Sequence, residues 1–92
     1  NNVAIGGYAL DAATTASYNV AVGYNSLSGN TGGTQNTALG WGAGLGVTTG
    51  GDNTAIGHKA LGANTTGGFN TAIGNDALDA VSSISNNSAV GT

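Results

Sequence analysis

A short alternation of side chains recurs along the whole chain. In Thr54–Gly57, Thr54 and Ile56 share one face of an extended backbone, and Ala55 and Gly57 share the other. Alternation with a period of two over so few residues is typical of a short β-strand. The pattern Asn-x-Ala-aliphatic-Gly begins at positions 2, 19, 36, 53, 70 and 87, always 17 residues apart. The sequence therefore predicts six short strands at one fixed spacing.

The residues between these strands predict turns and one further extended stretch. A small residue followed by Leu recurs in four units, as in Ala60–Leu61, and indicates a second short extended segment. Asn, Gly and Thr fill the remainder, and these residues favour turns. Gly and β-branched residues interrupt every window in which a helix could form. Two short strands and two turns per unit predict an all-β fold, a parallel β-roll or β-solenoid of 17-residue coils.

The repeating positions predict how the coils pack. Coils stacked at ~4.8 Å would form a rod about 25 Å long. We expect the aliphatic and Leu columns to fill the interior, Ala and Gly to allow close approach of another backbone or another subunit, and Asn to form a side-chain ladder. The repeat residues on which this interpretation depends are Asn19, Ala21, Val22, Gly23, Asn36, Ala38, Leu39, Gly40, Asn53, Ala55, Ile56, Gly57, Asn70, Ala72, Ile73 and Gly74.

The repeat covers residues 1–92, so we expect a single repeat domain whose last unit is truncated, as a segment of a longer chain. Each coil offers only about two large aliphatic side chains to offset the ordering entropy of 17 residues. We therefore expect the chain to oligomerise.

One Lys against four acidic residues gives a net charge of −3, which argues against nucleic-acid binding and against a polybasic membrane-surface patch. The sequence contains no run of 18 or more apolar residues, so we do not expect this segment to insert into a membrane.

The repeated pentad followed by a small residue and Leu resembles the head repeats of trimeric autotransporter adhesins, the YadA-like family. The resemblance extends over all six units. It implies a left-handed parallel β-roll, a homotrimer, display outside a bacterial outer membrane, and adhesion to host matrix or another surface without catalysis. The usual family form, N-S-V-A-I-G, carries an extra residue before Ala, which only residues 1–6 and 86–91 approximate. The unit here is also longer, and similar repeats look at home in phage-type tail fibres.

Aromatic residues occupy the variable places on either side of the pentad. Such places in a rigid repeat are expected to face outward, where they could contact a ligand or another fibre, or could cover turns and fill gaps between subunits. The candidate contact residues are Tyr18, Tyr24, Trp41, His58 and Phe69.

The residues that could carry chemistry are too few to predict an enzyme, a metal site or a cofactor. His58 is the only His and there is no Cys, so a transition-metal site within one chain is not expected. Asp11, Asp52, Asp76 and Asp79 are too sparse for a calcium-binding roll, which needs a carboxylate in every repeat. No Ser is distinguished from its repeat neighbours as a nucleophile. We therefore expect no catalytic residue.

Three functional hypotheses follow from the repeat. The first is a structural or adhesive segment of an extracellular trimeric fibre on a cell surface. The second is the shaft of a phage-type tail fibre on a virion. The third is an ice-binding solenoid, because Thr recurs in columns that could order water. The relevant columns are Thr14, Thr31, Thr48 and Thr65, with Thr15, Thr49 and Thr66 beside them.

Overall fold

The computed structural model describes residues 1–80 and 82–92. Six strands of three residues each form one parallel sheet whose spatial order is the order in sequence. Every pairing joins residues 17 apart, for example Ala38 with Ala55 and Ala55 with Ala72. The predicted β-solenoid of 17-residue coils is confirmed, and the described residues contain no helix. The strands are β1 (Val3–Ile5), β2 (Val20–Val22), β3 (Thr37–Leu39), β4 (Thr54–Ile56), β5 (Thr71–Ile73) and β6 (Ser88–Val90).

Each coil contains one strand, and the second predicted extended stretch is a turn. The Leu of the small-Leu pair has a left-handed backbone, with φ of 49° at Leu27 and 57° at Leu61. This conformation is unfavourable for a residue with a branched side chain. Burial of the Leu side chain, worth about 1.5–3 kcal/mol, offsets that cost. In the coils that carry the small-Leu pair, the turn thereby directs a Leu side chain towards the interior.

The interior holds the Ala and Leu columns, whereas the aliphatic column lies outside. Ala38 and Ala72 are fully buried and pack in one cluster with Leu27 and Leu61. Leu39, on the opposite face of the same strand as Ala38, is 48% exposed. The expectation that the aliphatic column fills the interior is therefore wrong. Of the two alternatives for the Ala column, the structure shows close approach within the chain, because these residues lie in its interior. The interior is too narrow for two bulky columns facing each other, since Leu already fills the space beside the Ala methyl groups.

The repeating Asn residues form the ladder that the sequence predicts. Asn53 donates its backbone N–H and its side-chain amide to Oδ1 of Asn36, at 3.0 Å in both bonds. Its amide also donates to the Gly67 carbonyl at 3.0 Å, and its own Oδ1 accepts two bonds from Asn70. Because these side chains are buried, their polar groups can be satisfied only by the neighbouring coils. The ladder ties each coil to the next.

A second set of bonds converges on single carbonyl oxygens in the Thr-rich loops. The Thr48 carbonyl accepts from the N–H groups of Thr31, Gly32 and Gly33, at 3.0 to 3.3 Å. Three consecutive amides around one oxygen form a concave nest, a geometry that favours a partial negative charge. The Thr65 carbonyl receives three amides from residues 48–50 in the same way. The loops are therefore held coil to coil, as the strands are.

The Gly that ends each pentad allows the coils to approach closely. Gly23 and Gly40 have φ of 132° and 131°, a region that L-residues rarely adopt. A Cβ at Gly40 would lie 2.7 Å from the Gly57 carbonyl oxygen of the next coil. Both the backbone angle and the stacking distance therefore require Gly at this place.

The third coil lacks the buried Leu but keeps its backbone contacts. Gly44 occupies the left-handed position that Leu27 and Leu61 occupy in their own coils. The Leu27 side chain extends into the free space beside Gly44, and Val47 is fully buried nearby in sequence. Gly44 still donates to the Ala60 carbonyl at 2.9 Å. Leu45 therefore does not take over the role of the missing Leu, and the coil is compensated rather than loosened.

Replacement of Asn53 by Ala should destabilise the whole stack. It removes two acceptor contacts for Asn70 and leaves the buried Gly67 carbonyl and Asn36 side chain with fewer partners. Each unsatisfied buried group costs about 1–3 kcal/mol, so we expect a loss of several kcal/mol in the free energy of unfolding, measured by denaturant titration. Asn75→Ala is the matched control, because Asn75 is exposed and donates only to Asp76. Equal destabilisation by both variants would contradict the ladder.

Replacement of Ser26 by Ala should stabilise the protein. Ser26 is fully buried in the column of small residues, and its hydroxyl has no hydrogen-bond partner. Removal of an unsatisfied buried hydroxyl is expected to raise the free energy of unfolding by about 1 kcal/mol. Thermal melting of Ser26→Ala beside Ser28→Ala, whose side chain is half-buried, would measure this. A lower melting temperature for Ser26→Ala alone would show that the hydroxyl has a partner.

Candidate functional site

The most distinctive surface of the molecule is the outward face of the sheet, which we call the outer strand face. It consists of the first and third residue of each strand and alternates with the buried Ala column. Ile5 is 60% exposed and Leu39 is 48% exposed, although both are large and aliphatic. Thr37, Thr54 and Thr71 supply the polar members of the face. An apolar stripe that crosses all six strands is a surface that another molecule could cover.

Two residues beyond the end of each strand lies a second column, which we call the trailing column: Gly7, Tyr24, Trp41, His58 and Asn75. Three of these side chains stack along the axis. The Tyr24 and Trp41 ring centroids are 6.3 Å apart with an interplanar angle of 18°. The Trp41 and His58 centroids are 5.1 Å apart at 19°. Tyr8 extends the stack by meeting Tyr24 edge to face at 5.5 Å.

The stacking has a consequence for what this column can bind. Because Tyr24 and His58 lie against the two sides of Trp41, a flat ligand could stack on the indole only by displacing a neighbour. The indole of Trp41 therefore offers its ring edge and N–H to solvent rather than an open ring face. Trp41 remains 43% exposed. The column is suited to contacts along its edge, parallel to the axis of the solenoid.

The two basic residues of the chain, His58 and Lys59, lie at this same end of the strands. Lys59, which directly follows His58, places its Nζ 5.8 Å from the Trp41 ring centroid, within the range of a cation–π contact. His58 Nδ1 is 3.6 Å from Asp76 Oδ1, and both side chains are about half exposed. At that exposure and distance the pair contributes little to stability. Among the described residues, Lys59 has no carboxylate within 4 Å.

A third column precedes the strands, which we call the leading column: Tyr18, Gln35, Asp52, Phe69 and Asn86. All five residues have a left-handed backbone, with φ between 58° and 61°. Asn and Gly suit this conformation, whereas aromatic residues occupy it at a cost. Tyr18 and Phe69 nevertheless stand there with 63% and 65% of their surface exposed. Packing within the chain therefore covers well under half of either aromatic side chain, although the repeat imposes the same backbone conformation at all five positions.

The structure separates the five candidate contact residues into two groups. Tyr24, Trp41 and His58 lie together in the trailing column, whereas Tyr18 and Phe69 lie in the leading column, three coils apart. Reasoning from the sequence missed Tyr8, Lys59 and Asp76, which contact the trailing column. All three residues occupy the same place in the 17-residue repeat, directly after the trailing column, and this shared place could have indicated that they lie near it. The indication was hidden because this place varies from Tyr through Asn and Gly to Lys and Asp.

Other kinds of site are not found among residues 1–80 and 82–92. These residues form no concave pocket and no group of three or more potential metal ligands. The described residues form no helix and therefore contain no helix that could cross a membrane. The first Thr column is engaged within the fold: the hydroxyls of Thr14 and Thr48 donate to carbonyls of the next coil at 3.1 and 3.2 Å. The second column is interrupted at Gly32. No observation on this surface favours ice binding over stacking of the coils.

Comparisons with family models, curated proteins and solved structures found no match to this chain. The resemblance to YadA-like head repeats therefore rests on the repeated pentad and the small-Leu pair alone.

Loss of His58 should uncover one side of the only Trp. We expect His58→Ala to shift the Trp41 emission to longer wavelength and to increase its quenching by acrylamide, because the imidazole no longer shields the indole. Loss of the ring pair should also lower the free energy of unfolding by about 1 kcal/mol. Phe69→Ala is the control, since Phe69 lies in the leading column. Unchanged emission in His58→Ala would show that the two rings do not stack in solution.

Proposed function

We propose that this chain is a segment of a homotrimeric extracellular fibre, wound as a left-handed β-roll, that presents and spaces a binding surface on a cell exterior. The observation that carries the proposal is the outer strand face. Its aliphatic side chains repeat at every level of the stack. In the single chain Ile5, Leu39 and Val90 are exposed, and Val22, Ile56 and Ile73 are only half-buried. Monomeric soluble proteins rarely leave a continuous apolar stripe uncovered.

The core of the single chain supports the same proposal. A coil buries at most one Leu beside its small residues, whereas an aliphatic residue of the same size class lies on the outer face. Burial of one such side chain is worth about 1.5–3 kcal/mol, and association costs about 4–15 kcal/mol. One level cannot offset the cost of association, but several levels acting together can. The repetition of the outer strand face along the axis therefore makes assembly favourable.

Three copies fit this face well. Strands of only three residues give a narrow face, and three such faces can meet around an axis parallel to the stack. At each level, three aliphatic side chains would then form a shared interior. Closed cyclic symmetry of this kind covers the same patch on every copy and leaves none exposed.

The hydrogen-bonded stack accounts for the mechanical part of the proposed function. Strands, Asn ladder and Thr loops each join a coil to its neighbours, so the unit extends without a change of structure. Such a rod sets a fixed distance between whatever lies at its two ends. Side chains that the assembled trimer leaves exposed would make the contact with host matrix or another surface. The shaft of a phage-type tail fibre would use the same assembly on a virion.

The solution mass of the 92-residue chain tests the proposal. We expect light scattering across a concentration series to give three chains, dissociating only on dilution. Leu39→Asp should give folded single chains, because a carboxylate in the shared interior is unpaired there but solvated in the monomer. Thr49→Asp adds the same charge at an exposed place in the same coil and should leave the trimer intact. A wild-type monomer at every concentration would overturn the proposal, and thermal hysteresis would then be measured.

A further inference from the structure

Identical coils create a difficulty for assembly that the outer strand face cannot solve. The aliphatic side chains repeat every 17 residues, so two copies could slide by one coil and bury nearly the same surface. Register is weakly specified when successive levels look alike. A trimer of this chain therefore needs at least one level that differs from the others and recognises its own counterpart.

The two ends of the strands are the places where neighbouring copies meet. This inference rests on the proposed trimer, in which the axis is parallel to the stack of coils. Cyclic symmetry then keeps equivalent levels at the same height. Three strands around the axis bring the end of one strand beside the start of the next copy's strand. The trailing column of one copy thus faces the leading column of its neighbour, level by level.

The residues at these two ends differ from level to level, and only the level of β4 combines acid and base. Around β2 the chain places Tyr18 and Tyr24, and around β3 it places Gln35 and Trp41. Around β4, Asp52 stands before the strand, and His58 and Lys59 stand after it. These are the only Lys and the only His in the chain. Complementary groups at a single level can fix the register between copies.

We infer that the carboxylate of Asp52 in one copy pairs with the ammonium of Lys59, beside His58, in the neighbouring copy. Among residues 1–80 and 82–92 of a single chain, neither Asp52 nor Lys59 has a charged partner within 4 Å. Asp52 is exposed, and its left-handed backbone is held by its N–H bond to the Thr34 carbonyl at 3.0 Å. Lys59 is held near the indole of Trp41. The two groups are therefore positioned at opposite ends of β4, and neither has an ion-pair partner among the described residues of its own chain.

The pair acts as a register lock. A slip by one level in one direction sets Asp52 against the end of β5, where Asp76 follows Asn75 and like charges repel. A slip in the other direction sets Asp52 against Trp41 and Gly42, which offer it no cation. Lys59 would then face Phe69 or Gln35 instead of a carboxylate. Only the aligned trimer pairs the charges, and it does so three times around the axis.

Charge exchange at the two positions tests the lock. We expect Asp52→Lys and Lys59→Asp each to weaken the trimer by about tenfold or more in its dissociation midpoint, because each sets like charges together at three contacts. The double variant Asp52→Lys with Lys59→Asp restores opposite charges and should recover most of the loss. Sedimentation equilibrium of the 92-residue chain measures the midpoints. Added salt should reduce the differences between variants.

Asp11→Lys is the matched control, because Asp11 is exposed and follows the buried Leu10 instead of flanking a strand. It makes the same charge change as Asp52→Lys and should leave the midpoint near that of the wild type. If Asp52→Lys has no more effect than Asp11→Lys, or if the double variant is as weak as the sum of the single variants, the inference is overturned. A wild-type monomer would instead overturn the proposed function itself.

Should either charge reversal prevent folding, Asp52→Asn removes the carboxylate without adding a like charge, and Asn suits the left-handed backbone there. Circular dichroism would confirm its β-structure. We expect a trimer that is a few-fold weaker than the wild type, since an exposed ion pair contributes modestly at each of three contacts. An unchanged midpoint in Asp52→Asn would also overturn the inference.

Discussion

Every feature of this molecule depends on the hydrogen bonds between coils 17 residues apart. A single coil has one three-residue strand and cannot satisfy its own buried amides. The parallel sheet, the Asn ladder and the Thr-loop carbonyls each draw their partners from a neighbouring coil. Stability is thus shared between adjacent repeats, as expected for a quasi-one-dimensional protein. An insertion of one residue in any coil would break all three ladders at once, which accounts for the invariant spacing.

The sequence reveals the repeat and the strands far better than it reveals the inside and the outside. Period-two alternation shows that Thr54 and Ile56 share a face, but Ala55 and Ile56 are both apolar, so hydrophobicity does not determine which face is buried. The volume of the side chains determines which face of the strand is buried. Leu61 is turned inward by a left-handed backbone that no hydrophobic pattern indicates, and it leaves room for only a methyl group opposite. The Asn ladder was predictable because an amide at every seventeenth place has few other roles.

The candidate surface was predictable as a set of exposed positions but not as an arrangement. Variation after the pentad correctly indicated that Tyr24, Trp41 and His58 face outward. Their mutual stacking follows from the coil rise, which brings equivalent side chains within ring-contact distance. Tyr18 and Phe69 also face outward, yet they stand at the other end of the strands. The sequence places both groups beside the pentad, and only the fold shows that the outer strand face separates them.

A perfect repeat and a specific assembly make opposite demands on a sequence. Uniform coils give length, rigidity and a continuous apolar face, but they leave two copies free to align at many heights. The core positions of this chain are accordingly uniform, with Ala and Gly invariant in every pentad. The residues at the strand ends are not uniform. They change from two tyrosines at β2, to Gln35 and Trp41 at β3, to Asp52 with His58 and Lys59 at β4. Departures from the repeat are therefore concentrated at the strand ends, where the proposed trimer would bring neighbouring copies together. The leading positions keep one left-handed backbone at every level, so a change of side chain there leaves the stacking of the coils unchanged.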